Sequence, residues 1–186
     1  HPNPSWFTHK IAEYYKEINQ KFDHKCEILD LYTTAIHQDF LLLDEKNKYI
    51  RNESRDEMQK KISRADELVF IFPIWWFDCP AIMKNWFDQN FTPGFAFNYR
   101  SGKLIPEKLL KNKKARIFAT SWWPTWVYYT VWIWLQLNFL FWRLWYSGIW
   151  IKNFTIFGNM WKLRYEKDRK KMLDKVARIA KWNKNK

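Results

Sequence analysis

An α/β architecture, a parallel sheet with helices on both faces, is what this sequence predicts, and two observations predict it. Short apolar runs alternate along the chain with amphipathic stripes of three- and four-residue spacing. The run Leu68-Val-Phe-Ile-Phe-Pro-Ile74 is apolar without interruption, as a strand covered on both faces must be. With 186 residues the chain is long enough for a full core, and one domain over residues 1–186 is expected.

The elements follow in order. His1-Pro-Asn-Pro-Ser5 is a loop, and Phe7, Ile11, Tyr14, Tyr15 and Ile18 form the stripe of a helix. Cys26-Glu-Ile-Leu-Asp-Leu-Tyr32 reads as a strand. Glu53 to Ala65 has Met58, Ile62 and Ala65 on one side and charges elsewhere, which predicts a surface helix. After the strand Leu68 to Ile74, Pro80 suits the first turn of a helix running to about Asn90. Residues 91–112 carry Pro93, Gly94, Gly102 and Pro106 and read as an irregular excursion. Lys114 to Thr120 is a further strand, Ile149 to Phe157 another, and Arg164 to Lys181 a closing helix with Met172, Leu173, Val176, Ile179 and Ala180 on its apolar stripe. An α/β unit of this kind begins with a strand and none precedes His1, so the first strand is expected to be missing from this chain.

The net charge of +13 admits an anionic partner. Its distribution narrows that choice, because Trp161 to Lys186 alone holds 11 Lys or Arg against three acids. Such a run is a solvated helix face, and nucleic-acid binding is not expected. Cys26 and Cys79 lie far apart and the four histidines are scattered, without CxxC or HExxH spacing. The two distant cysteines make a reduced, cytoplasmic protein the simpler reading, no metal is expected, and no signal peptide is visible at His1. Usage is skewed in one respect: Gly occurs four times and Trp 14 times, ten of them after residue 120.

In open α/β sheets the ligand site lies beyond the carboxyl ends of the strands. The segments there are His1 to Thr8, Pro73 to Cys79 and Thr120 to Tyr128. The first offers Ser5, Thr8 and the free N–H groups of a helix start to a phosphate, though Ser5 or Thr8 could equally be a plain N-cap. The second sets Trp75, Trp76 and Phe77 at a strand end, where they suit a planar aromatic ligand or simply the core.

His1-Pro-Asn-Pro-Ser-Trp-Phe-Thr8, Pro73-Ile-Trp-Trp-Phe77 with Pro80-Ala-Ile-Met-Lys84, Phe91-Thr-Pro-Gly-Phe-Ala-Phe97, Lys114-Ala-Arg-Ile-Phe-Ala-Thr-Ser121 and Phe154-Thr-Ile-Phe-Gly-Asn159 together resemble the NAD(P)H quinone oxidoreductases of the flavodoxin-like superfamily. The resemblance implies a doubly wound, five-stranded parallel sheet. It implies FAD, or FMN in some branches, as cofactor, NAD(P)H as co-substrate, a quinone-like acceptor and a homodimer with the site at its interface. By that similarity His1, Phe7 and Thr8 hold the phosphate side of the flavin, and Pro73, Ile74, Trp75, Trp76 and Phe77 contact its ring. Thr120, Ser121, Trp122 and Trp123 pass along the other edge, and the catalytic residue Tyr128 sits by the nicotinamide and quinone pocket. The implied chemistry is ping-pong hydride transfer through the flavin.

The departures form a pattern. Trp122 and Trp123 stand where the family has two glycines, and as written their indoles are expected in the cofactor's space. Trp132 replaces another glycine and Trp134 the histidine of a catalytic His–Tyr pair, which leaves Tyr128 as its surviving half. Trp142-Arg-Leu-Trp145 replaces Gly-Arg-Leu-Gly. The pattern suggests one cause, and the hypothesis is a gene whose UGA codons mean glycine but were read as tryptophan. Returning about ten Trp to Gly restores ordinary usage, with Trp75, Trp76 and Trp86 as the genuine tryptophans. Two rival readings remain: a flavodoxin-like interaction module with impaired catalysis, and a membrane-associated protein using the uncharged stretch 117–142.

Overall fold

The structure is a computed structural model and describes residues 1–36, 38–46, 49–50, 52–130 and 140–181. Its centre is a three-stranded sheet of order β1-β4-β5, with β1 at Glu67–Pro73, β4 at Lys114–Thr120 and β5 at Trp150–Phe157. Both pairings are parallel, as the apolar runs separated by helical segments require. Strands β2 (Phe97–Asn98) and β3 (Glu107–Lys108) form a small antiparallel pair within the excursion expected to be irregular.

Helices lie on both faces. Helix α1 (Phe7–Gln20) and helix α5 (Glu166–Lys181) cover one side, where Phe7, Ile11, Tyr15 and Ile18 of α1 meet Val176 and Ala180 of α5. Helix α2 (Glu53–Arg64), helix α3 (Ala81–Asn90) and helix α4 (residues 140–147) bury Met58, Ile62, Met83, Trp86, Phe87, Leu140 and Leu144 in the second core. The strand pleat divides β4 between the two: Ala115, Ile117 and Ala119 enter the second core while Phe118 enters the first.

Local chemistry sets the helix ends. Asn52 Oδ1 accepts the Arg55 N–H at 3.1 Å at the start of α2, with Glu53 and Asp56 in the first turn and Lys61 and Arg64 in the last, matching the helix dipole. Pro80 precedes α3 with φ −57°, so its missing N–H costs nothing there.

One expected strand does not form. Residues 26–32 lack ladder partners, although Leu29 and Leu31 still pack against the second core. A strand exists only through its neighbour. In the doubly wound order 2-1-3-4-5 the second strand pairs with the first alone, and no strand among the described residues lies on the outer side of β1. The described sheet therefore has three strands, against the five of the resemblance.

The amino end of the sheet is closed by charge. The Arg116 side chain is buried; its Nε donates to Glu67 Oε1 at 2.9 Å and its Nη1 to the Ile179 carbonyl at 2.9 Å. The Tyr15 hydroxyl donates to the same Glu67 oxygen at 2.6 Å. Burial, followed by the charge of Glu67, pushes the Tyr15 phenol above its usual range.

Candidate functional site

At the carboxyl end, register aligns three strand termini, for Pro73 pairs with Thr120 and Thr120 with Phe157. The Ile74 N–H donates to the Thr120 carbonyl at 2.8 Å and the Ser121 N–H to the Phe157 carbonyl at 2.8 Å, carrying the pairing one residue into each loop. Beyond this line the chain leaves the sheet for loops and two short 3-10 turns, Thr125–Tyr129 and Met160–Arg164.

The loop after β1 is a tight turn. The Trp75 N–H donates to the Asp78 carbonyl and the Asp78 N–H to the Trp75 carbonyl, each at 3.0 Å. Trp76 and Phe77 between them have φ of 48° and 63°. Both are bulky residues in the left-handed region, a geometry that costs on the order of 1–3 kcal/mol each and collects at functional sites. The turn leaves the N–H groups of Trp76 and Phe77 without a partner among the described residues, and the Trp76 ring is 96% exposed. Asp78 steadies the exit by accepting the Cys79 N–H at 2.7 Å.

The loop after β4 is held differently. Ser121 Oγ accepts the Trp123 N–H at 3.0 Å and is hydrogen-bonded to the Tyr128 hydroxyl. The Trp123 carbonyl accepts the Asn159 N–H at 3.1 Å, and the Ser121 carbonyl accepts the Met160 N–H at 3.1 Å. Gly158 makes that contact possible, because a Cβ there would lie 2.5 Å from the Thr125 nitrogen and 2.6 Å from the Trp123 oxygen.

The N-terminal segment joins these loops. The His1 ring stacks on Trp6 at 4.5 Å and meets Trp75 edge-on at 5.6 Å, while Phe77 lies 6.0 Å from Tyr128. The structure thus brings His1, Thr8, the segment 73–77, Thr120, Ser121 and Tyr128 to one edge of the sheet. Phe7 is on that edge too, but its ring is buried in the α1–α5 core, so only its backbone is available there. Ser5 does not cap α1; its hydroxyl donates to Asn3 Oδ1 at 2.8 Å, and no side chain caps the helix. Trp122 and Trp123 are 62% and 59% exposed, turned to solvent rather than packed into the protein. Neither has positive φ, so nothing in the backbone conformation calls for glycine at these positions. Trp132 and Trp134 lie outside the described residues.

Two buried hydroxyls at this edge, Thr8 Oγ1 and Thr120 Oγ1, have no hydrogen-bond partner among the described residues. An orphaned buried hydroxyl costs about 1–3 kcal/mol unless a ligand supplies the missing bond. Together with the uncapped start of α1 and the two free N–H groups of the turn, they fit a planar, carbonyl-bearing ring with an attached phosphate. Sequence reasoning missed Asp78, Gly158 and the Ser121–Tyr128 bond. The Gly158-Asn159 dipeptide was a visible turn signal for the second of these.

Two cavities elsewhere do not compete on chemistry. One of about 280 Å³ lies among the surface residues Arg100 to Lys111, and one of about 340 Å³ lies between residues 31–40 and α3. Neither brings together the residues at the strand ends. Among the described residues no group of His, Cys, Asp or Glu is arranged to hold a metal, and no helix is long and apolar enough to cross a membrane.

Comparison with known proteins bears on this geometry. The profile of the family described as "Flavodoxin-like fold" matches residues 1–178. NAD(P)H dehydrogenase [quinone] 1 of Cavia porcellus is 44% identical over 63 residues, which are 34% of this chain and 22% of that protein. The chain thus matches about a fifth of that curated relative's length. Among solved structures, Smu.1420 from Streptococcus mutans UA159 is 30% identical with TM-score 0.79, covering 97% of this chain and 94% of that one. NAD(P)H:quinone oxidoreductase from Methanothermobacter marburgensis is 28% identical with TM-score 0.74, covering 97% and 91%. With a parallel sheet covered by helices on both faces and these relatives in agreement, the chain belongs to the flavodoxin-like family.

Proposed function

We propose that this chain is a flavin-dependent NAD(P)H oxidoreductase that reduces quinone-like acceptors by two electrons in a ping-pong cycle. The observation that carries the reading is the pair of orphaned buried hydroxyls, Thr8 and Thr120, on the edge where the turn 75–78 leaves two N–H groups free. The proposed flavin is FMN. Two solved structures of this fold hold it, an azoreductase from Bacillus anthracis and general stress protein 14 from Treponema denticola, whereas FAD, the first expectation, gains no such support.

Bound flavin supplies the hydride-accepting and hydride-donating centre. The protein's part is to bind and orient. The N–H groups at the start of α1 and the Thr8 hydroxyl would hold the phosphate, where the helix dipole favours negative charge. The N–H groups of Trp76 and Phe77, held in a left-handed turn, would donate to the carbonyl oxygens of the ring. Thr120 closes the floor, and Tyr128 stands between the walls. The homodimer implied by the family would cover the open side beside Trp76.

Reconstitution with FMN, followed by desalting and measurement of flavin absorbance, tests the reading. The chain as given is expected to retain little FMN, and the variant Trp122→Gly/Trp123→Gly at least tenfold more, because two indoles leave the rim. If neither protein retains FMN above the level of Thr8→Val/Thr120→Val controls, the flavin reading is wrong and the interaction-module alternative takes its place.

A further inference from the structure

The hydroxyls of Ser121 and Tyr128 are both buried and hydrogen-bonded to each other. Counting hydrogens decides what this pair can do. Each hydroxyl carries one hydrogen, and their mutual bond uses one of the two. The Trp123 N–H already occupies one acceptor site on Ser121 Oγ. Neither oxygen has a further acceptor among the described residues. The pair therefore holds one O–H with nothing to receive it, in a place where an unmet donor is costly.

Position indicates which hydroxyl is left over. Ser121 sits at the strand terminus, with its N–H and carbonyl tied to Phe157 and Met160. Tyr128 lies between the two loops, its ring beside Phe77 of the opposite wall. We propose that Ser121 is a positioning residue for Tyr128: it donates to the phenol oxygen and so turns the phenol's own hydrogen toward an acceptor oxygen of a bound carbonyl-bearing ring. This rests on the flavin and quinone reading of the same edge. Burial pushes the Tyr128 phenol up, and the bond from Ser121 acts against that shift, as a donor to the phenol oxygen should. Without Ser121 the phenol has no bond to fix its rotor and no donor to support its oxygen.

The test is ¹⁹F NMR on the chain labelled with 3-fluorotyrosine, whose phenol titrates at lower pH, with Tyr128→Phe assigning the resonance. In the flavin-free protein, Ser121→Ala is expected to raise the Tyr128 midpoint by about one pH unit, and Ser121→Thr to restore it. FMN is expected to displace the resonance in the Trp122→Gly/Trp123→Gly background and when Ser121→Thr is added to it, and at least threefold less when Ser121→Ala is added. An unmoved midpoint in Ser121→Ala, or a failure of Ser121→Thr to rescue it, overturns the inference while leaving the flavin reading untouched. A resonance that FMN does not displace in the Trp122→Gly/Trp123→Gly background, with the midpoint shift intact, overturns the flavin reading and with it the role of Tyr128 toward a ligand.

Discussion

The two ends of the sheet are built on opposite terms. At the amino end polar groups are answered within the chain: Arg116 by Glu67 and Ile179, Tyr15 by Glu67, and also Lys113, whose Nζ donates to the Ser63 and Ala65 carbonyls at 2.8 and 2.7 Å. At the carboxyl end Thr8 and Thr120 are unanswered, Trp76 and Phe77 are strained, and large aromatics face solvent. The same three strands connect both ends, so the difference comes from the loops and from the first residues of each strand. Stability is concentrated where the chain is self-sufficient, and the capacity to bind is left where it is not.

The largest expected effect falls at the closed end. Arg116→Met leaves Glu67 beside Tyr15 without its cation and is expected to cost about 3 kcal/mol in denaturant unfolding, within the range for breaking a buried pair. A loss below about 1 kcal/mol would show that the closed end does not carry the fold. Next comes Gly158→Ala, whose Cβ must displace the backbone of Trp123 and Thr125, at about 1–3 kcal/mol. The same variant should loosen the β4 loop and lower FMN retention, which Arg116→Met should not do at temperatures where it stays folded.

Alkaline pH separates the ends further. Burial, followed by the charge of Asp78, pushes the Cys79 thiol up to about 12 from an ordinary 9.0. Across that window the folded chain keeps a proton that the unfolded chain releases, so stability falls as pH rises, by about 1.4 kcal/mol per pH unit. Cys79→Ala should remove this slope, measured as the change of unfolding free energy with pH from about 9 upward. Tyr15, with its phenol also held up, adds a second loss that begins only above about pH 10 and that Cys79→Ala leaves in place.

The smallest effect is a gain. Trp76 is almost wholly exposed and in the left-handed region, so Trp76→Gly is expected to stabilise the flavin-free chain by about 1 kcal/mol while weakening FMN binding. An equal loss of both stability and binding would mean that the turn is not strained.

Much of this arrangement was legible from residue pattern. The run from Leu68 and the run from Lys114 became β1 and β4 because an uninterrupted apolar segment has one way to be covered. The stripe Phe7, Ile11, Tyr15 and Ile18 became the buried side of α1 for the same reason of periodicity. What pattern could not show was pairing across distance. Cys26 to Tyr32 has the composition of a strand and still forms none, because ladder bonds depend on a neighbour that composition does not supply. Tyr15 and Arg116 meet on Glu67 from 52 and 49 residues away. The site segments were found from their place at the strand ends and their residue roles from the resemblance, but the outward direction of Trp122 and Trp123 and the inward bond of Tyr128 depend on the course of one loop. Trp122 and Trp123 stand mostly in solvent, which agrees with glycine as the encoded residue, whereas Trp145 packs against Trp142 and Tyr146 and holds Lys108 Nζ 3.5 Å from its ring centre. Sequencing the codons decides that point, and UGG at these positions would end the idea.

The distribution of indoles also determines what light reports about this molecule. Trp86 is buried, whereas nine other described tryptophans stand exposed, five of them from Trp75 to Trp126 around the carboxyl edge. Exposed indoles emit much the same colour whether the chain is folded or not. A flavin seated among them absorbs where they emit. Intrinsic fluorescence of this protein is therefore a poor gauge of folding and a sensitive gauge of whether the edge is filled.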